Sequence, residues 1–255
     1  MPLEIITVPC LKDNYAYLVH DAASGRTALV DAPEAGPIAA ELARRGWRLS
    51  DILITHHHGD HIDGVEALRA SSGARVIGAA ADAHRLPPLD LELHDGDEIG
   101  ICGETAHVLD VSGHTVGHVA FHFPASGAAF TADSLMALGC GRVFEGTMAQ
   151  MWHSLSRLAA LPPETRIFSG HEYTLANANF AVTIEPENAA LISRKKAVEQ
   201  DRAADRPTVP SLLSEELATN PFLRASRPEV KDAMGMRDAR DSEVFAEIRR
   251  RKDRF

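Results

Sequence analysis

The sequence predicts a layered α/β domain followed by an all-α segment, and three observations carry that expectation. Short apolar, β-branched runs alternate with glycine-rich turns through the first two thirds of the chain. Helical stretches intervene between those runs, and strand patterns nearly vanish after Tyr173. Strands interleaved with helices imply sheets whose outer faces are covered by helices. The expected boundary divides residues 1–172, an α/β part, from residues 173–255, a smaller all-α part.

Taken in chain order, Ile5 to Val8, Tyr15 to Val19 and Thr27 to Asp31 are strand-length apolar runs bounded by turn residues. Pro37 to Arg45 reads as a helix. Ile52 to Thr55 is apolar and β-branched, the pattern of a buried strand. Ile62, Val65 and Leu68 then recur at helical spacing, so a strand becomes a helix across residues 55–62. Thr105 to Val111, Val119 to Phe123, Phe130 to Ala132 and Ile167 to Ser169 are further strands, and Met148 to Leu161 is a helix. Beyond Tyr173, Asn177 to Thr183, Glu187 to Arg202, Leu212 to Ala218, Glu229 to Met234 and Ser242 to Arg251 read as helices punctuated by prolines.

Composition bounds the function class. With 255 residues, 45% of them hydrophobic, the chain can form one large or two modest cores. A formal net charge of −10 argues against a broad electrostatic footprint for nucleic acid. The start, Met1 to Ile6, lacks the basic region and apolar core of a signal peptide. No apolar run approaches the roughly 20 residues that span a bilayer. A cytoplasmic monomer with no membrane or nucleic-acid partner is expected. Cys10, Cys102 and Cys140 are odd in number and widely spaced, which predicts buried, reduced thiols rather than a disulfide framework.

The densest chemistry lies in Thr55-His56-His57-His58-Gly59-Asp60-His61. In an extended segment alternate side chains share a side. His56 and His58 can therefore reach one metal ion, while His57 points away. Asp60 and His61, at the helix entry, could begin a second site. Further donors follow at later strand ends: His114 in a glycine-flanked loop, Asp133 after Phe130 to Ala132, and His171 after Ile167 to Ser169. Five imidazoles and two carboxylates, with Asp133 bridging, would give each of two ions about four protein ligands and an open position. That is the pattern of a catalytic rather than a closed structural site. Zinc suits the donor set best, with iron or manganese as alternatives. His118, one turn past His114, is a candidate to support a ligand.

The His-x-His-x-Asp-His run, the later Gly-His-Thr-x-Gly-His, the strand-end Asp133 and the Gly170-His171 pair resemble the metallo-β-lactamase superfamily. Within it the chain is similar to the glyoxalase II, or hydroxyacylglutathione hydrolase, family. That closer similarity rests on Asp13-Asn14-Tyr15, Gly139-Cys140-Gly141-Arg142, Gly170-His171-Glu172-Tyr173-Thr174, Glu185-Pro186-Glu187-Asn188 and the basic run from Arg249 to Phe255. The resemblance covers essentially the whole chain. It implies a four-layer αββα catalytic sandwich, residues 1–172, followed by a helical substrate-binding domain, residues 173–255. It also implies hydrolysis of S-D-lactoylglutathione to glutathione and D-lactate by hydroxide held between two metal ions, with Asp60 and Asp133 in the catalytic set.

A thioester fits such a centre, because a thiolate leaves without the protonation an amine would need. The family's glutathione-binding positions fall on Arg142, Phe144, Tyr173, Arg249 and Lys252. Arg142 stands where lysine is frequent and Phe144 where tyrosine is frequent, which changes the hydrogen bonds available there. Arg249 and Lys252 are three apart on a helix and so could face one ligand; the alternative is a solvated helix end whose basic residues complement the dipole. Two rival functions remain open from sequence: a glutathione-persulfide dioxygenase using one iron, and a non-enzymatic metal-binding protein.

Overall fold

Glu4–Cys10 (β1) and Asn14–Asp21 (β2) form an antiparallel hairpin extended by Arg26–Val30 (β3). A helix, Ala35–Arg45 (α1), then returns the chain so that Arg48–Leu53 (β4) runs parallel to β3. The helix stops at Gly46, whose left-handed φ of 67° lets its N–H cap the last turn. After Gly59–Ile62 (α2) and Val65–Ser72 (α3), Arg75–Ala79 (β5) and Leu91–Leu93 (β6) complete a six-stranded sheet ordered β1-β2-β3-β4-β5-β6. The single helix expected after Thr55 is thus two short ones. The break falls at Gly64, where an added Cβ would lie 2.8 Å from the Ala35 nitrogen and the Glu34 carbonyl carbon.

Glu98–Ile101 (β7), Glu104–Asp110 (β8), Val119–Phe123 (β9) and Ala128–Ala132 (β10) form an antiparallel run in a second sheet. The remaining elements are Leu135–Met136 (β11), Gly139–Cys140 (β12), Met148–Ala159 (α4), Arg166–Ser169 (β13), Thr174–Ile184 (α5), Ala189–Ala203 (α6), Ser211–Leu212 (β14), Leu213–Thr219 (α7), Pro228–Met234 (α8) and Asp241–Arg254 (α9). This computed structural model describes residues 2–255. The chain divides into two compact units, residues 1–110 with 115–131, and residues 111–114 with 132–255.

In the first unit, Ile38 and Leu42 of α1 and Val65 and Leu68 of α3 pack with Leu18, Leu29, Ile52 and Val76 of the first sheet. Each such fully buried aliphatic side chain contributes about 1.5–3 kcal/mol. The sheet's other face meets the second sheet, with Tyr17 on β2 against Phe130 on β10 at 5.5 Å between ring centroids. The first unit is therefore helix, sheet and sheet in layers, as its alternating pattern predicted. In the second unit, β11 pairs with β12 and β13 with β14, both antiparallel. Phe180, Phe222 and Phe245 stack through its helical part. The helices expected after Tyr173 are all present, with ends shifted by at most three residues; β5, β6, β7, β11, β12 and β14 are strands that the sequence pattern did not show. Among the described residues no helix is long and apolar enough to cross a membrane.

Candidate metal centre

The histidine run leaves β4 in extended backbone, with Ile54 donating its N–H to the Ile77 carbonyl and the Thr55 carbonyl accepting from Val119. His56 Nε2 and His58 Nδ1 stand 3.2 Å apart. Two imidazole nitrogens bound to one tetrahedral zinc at roughly 2.0–2.1 Å are separated by about 3.4 Å. His57 turns away, with its Nδ1 3.1 Å from the buried Asp82 carboxylate. Asp82 also takes Arg85 and lies against Gly117, where a Cβ would fall 2.2 Å from the carboxyl carbon. Only glycine at 117 leaves room for that carboxylate.

Asp31 organises the histidines from beneath, a role that pattern reading missed. It sits at the end of β3 with a left-handed φ of 56°, a conformation strained for a residue with a side chain. Its Oδ2 accepts from Thr55 Oγ1 at 2.8 Å and from His61 Nδ1 at 2.8 Å, and its Oδ1 accepts from the Thr55 N–H at 2.9 Å. Because the Thr55 hydroxyl proton is spent on Asp31, its lone pair is left to accept from His56 Nδ1 at 3.0 Å. Both rings are thereby fixed with the proton on Nδ1 and the Nε2 lone pair presented for a metal. Asn14, from the Asp13-Asn14-Tyr15 motif, donates to the Asp60 carbonyl at 2.9 Å and to Asp60 Oδ2 at 3.1 Å. His118 stacks on His56, 4.6 Å between ring centroids, with its Nδ1 3.2 Å from the Val119 carbonyl oxygen. His118, expected to support a ligand, thus makes a packing contact with the ring of a candidate ligand.

The second unit carries His114, Asp133 and His171, all buried. The Gly170 N–H donates to the Ala132 carbonyl at 3.0 Å, which sets the ends of β10 and β13 side by side. One oxygen, Asp133 Oδ2, stands 3.5 Å from His114 Nε2 and 3.4 Å from His171 Nε2. Both distances are close to the separation of two ligands on one tetrahedral ion. His114 Nδ1 donates to the Arg142 carbonyl at 2.7 Å, which again leaves Nε2 for a metal. Gly141 is required here, since a Cβ would fall 2.0 Å from the Asp133 carbonyl oxygen. The donor types and spacings in both units fit divalent-metal binding.

The residues expected to meet substrate lie in the second unit. Phe144 is 63% exposed with its ring 5.3 Å from that of His114, and Tyr173, 40% exposed, stacks on His171 at 4.6 Å. Arg142 is exposed, its Nε 3.9 Å from Asp253. The Lys252 ammonium donates to the Ala176 carbonyl at 3.1 Å and lies over the Phe180 and Phe255 rings. Burial, then the nearby Arg249 and Arg142 charges, lower its pKa to about 8. Arg249 takes neither the ligand-facing place expected beside Lys252 nor the solvated alternative. It is 3% exposed, because its guanidinium turns inward to the Cys140 carbonyl at 2.8 Å and pairs with Asp253 at 2.9 Å. All three cysteines are buried and unpaired, and burial raises each thiol to about 11. At that value Cys140 is no nucleophile near neutrality.

Comparison with known proteins agrees in every part of the chain. A family model for the metallo-β-lactamase superfamily matches residues 12–171, and one for the hydroxyacylglutathione hydrolase C-terminus matches residues 172–255. A hydroxyacylglutathione hydrolase of Cereibacter sphaeroides (strain ATCC 17025) is 67% identical over 255 residues, covering all of both chains. One from Ruegeria pomeroyi is 64% identical, also over the full length of both. The crystal structure of the BLEG-1 B3 metallo-β-lactamase superposes with a TM-score of 0.68 at 20% identity, covering 86% of this chain and 99% of that one. The fold is the α/β metallo-β-lactamase fold, followed by a helical C-terminal segment. The chain belongs to the hydroxyacylglutathione hydrolase family of the metallo-β-lactamase superfamily.

Proposed function

We propose that the protein is a glyoxalase II, a thioester hydrolase that cleaves S-D-lactoylglutathione to glutathione and D-lactate. The seven ligands fall into two sets joined by one carboxylate. His56, His58 and His114 would hold one divalent ion, Asp60, His61 and His171 the other, and Asp133 would bridge them. The observation that carries this reading is the near-equal spacing of Asp133 Oδ2 from the His114 and His171 nitrogens. Zinc is the ion proposed, with iron or manganese able to use the same donors. Such ions supply a water acidified to near neutrality and a Lewis acid for the thioester carbonyl.

The chain's own residues do the rest. Asp31, Thr55 and the Arg142 carbonyl hold three imidazoles in the tautomer that presents Nε2. Asn14 fixes Asp60 by both backbone and side chain. Residues 173–255 serve as the substrate-binding domain. On the substrate side, Arg142 and Lys252 are the cations placed to meet a glutathione carboxylate, with Arg249 adding its charge from behind them. Phe144 and Tyr173 supply aromatic surface beside ligand histidines. The match of residues 172–255 to the hydrolase C-terminus supports this reading over a persulfide dioxygenase or a metal buffer. We propose a cytoplasmic monomer acting on a small molecule.

A direct assay tests the activity. Purified, zinc-loaded protein should release glutathione thiol from S-D-lactoylglutathione, and a strong chelator should abolish that release reversibly. Oxygen uptake with glutathione persulfide, without thioester cleavage, would replace the hydrolase with the dioxygenase.

A further inference from the structure

We propose that Glu216, seated with Arg194 and Asn220 behind the β11–β12 hairpin, is a positioning residue of the metal centre. It would fix the loop that carries Asp133 at one end and the Arg142 carbonyl at the other. The inference rests on the functional reading above for the identity of the ligands, and on separate contacts for its force.

The hairpin is short and buried, so its backbone groups must find partners inside the protein. Its tip is strained as well, since Leu138 adopts a left-handed φ of 56°. The partners come from side chains far along the chain. Glu216 Oε2 accepts from the Leu138 N–H at 2.8 Å. Asn220 Nδ2 donates to the Met136 carbonyl at 3.2 Å and the Gly139 carbonyl at 3.0 Å. Asn177 Nδ2 donates to the Ala137 carbonyl at 3.0 Å. Glu216 is fully buried, takes a further bond from Asn220 at 3.0 Å, and is ion-paired with Arg194.

The segment leaving the hairpin connects this clamp to the chemistry. Directly after β12, the Gly141 N–H donates back to the Asp133 carbonyl at 3.1 Å, and the next carbonyl, of Arg142, accepts from His114. The Phe144 N–H then donates to the His114 carbonyl at 3.2 Å. A carboxylate serving only to join α6 to α7 would need Arg194 but not Leu138. Glu216 uses both, so the hairpin is held from the helical segment at its tip and delivers its two ends to the ligands.

The test is zinc retention against a chelator, together with kcat and KM, in the full-length protein. Glu216→Ala should lose zinc about tenfold faster and lower kcat about tenfold with little change in KM, the scale at which outer-shell partners act. Glu216→Gln keeps an acceptor for Leu138 and should recover most of that loss. Asn177→Ala cuts one neutral bond to the same tip and should shift both readouts in the same direction by a smaller factor. Val230→Ala, a core truncation in α8, should lower the melting temperature while leaving zinc retention and kcat as in wild type. Folded Glu216→Ala and Asn177→Ala with wild-type zinc retention and kcat would overturn the inference. If Glu216→Ala does not fold, wild-type values for Asn177→Ala suffice to overturn it. Zinc retention is read without substrate, so failure of the clamp is distinguishable from failure of the proposed hydrolysis.

Discussion

His114 Nδ1 donates to the Arg142 backbone carbonyl at 2.7 Å, so the residue proposed to meet substrate with its side chain also orients a proposed metal ligand with its main chain. The two roles are separable because they use different atoms. On the proposed assignments, residues 139–142 tie substrate recognition to ligand geometry within a few bonds.

Arg142→Ala should therefore weaken substrate binding without emptying the metal site. We expect KM to rise about tenfold, corresponding to roughly 1.4 kcal/mol, with kcat within about twofold and zinc content unchanged. Loss of zinc in this variant would mean that the side chain, and not the carbonyl, supports His114.

Asp82 should matter for metal binding although it is no ligand. It pins His57 between the two histidines on either side. Asp82→Ala is expected to lower zinc affinity by about tenfold or more, measured by chelator competition on protein whose circular dichroism matches wild type. Gly117→Ala should act in the same direction, because its methyl group would occupy the place of the Asp82 carboxylate.

The histidine run was legible because four candidate donors fall within six residues, the first two, His56 and His58, alternating in an extended segment. The strand-end positions of His114, Asp133 and His171 were legible because each follows an apolar run. Asp31 has the same signature, a carboxylate ending Ala28-Leu29-Val30, yet it acts on Thr55 and His61 from another strand. Asp82 and Glu216 carry no local signal for these roles, since His57 and Leu138, the groups they hold, lie 25 and 78 residues away. The inward turn of Arg249 was hidden for the same reason. Helical spacing places its Cα, whereas the buried Cys140 carbonyl decides where the guanidinium goes.

Lys252 should impose an alkaline limit on substrate capture. Its pKa is lowered to about 8, by burial first and then by the charges of Arg249 and Arg142. The ammonium is charged below that value and neutral above it, so kcat/KM for the anionic thioester should fall as pH rises through about 8. Bound substrate raises the lysine's pKa, so kcat should vary less over the same interval. Lys252→Arg stays charged throughout and should remove the fall. An unchanged profile in that variant would assign the limb to another group.

Metal stoichiometry in ligand variants, read beside thioester hydrolysis, tests the central claim most directly. Fully loaded, active wild-type protein should contain two ions per chain. His171→Ala should chiefly empty one site, and Asp133→Ala should disturb both, with hydrolysis of S-D-lactoylglutathione falling in step. One ion per chain in fully active protein, or full activity in Asp133→Ala, would contradict the account.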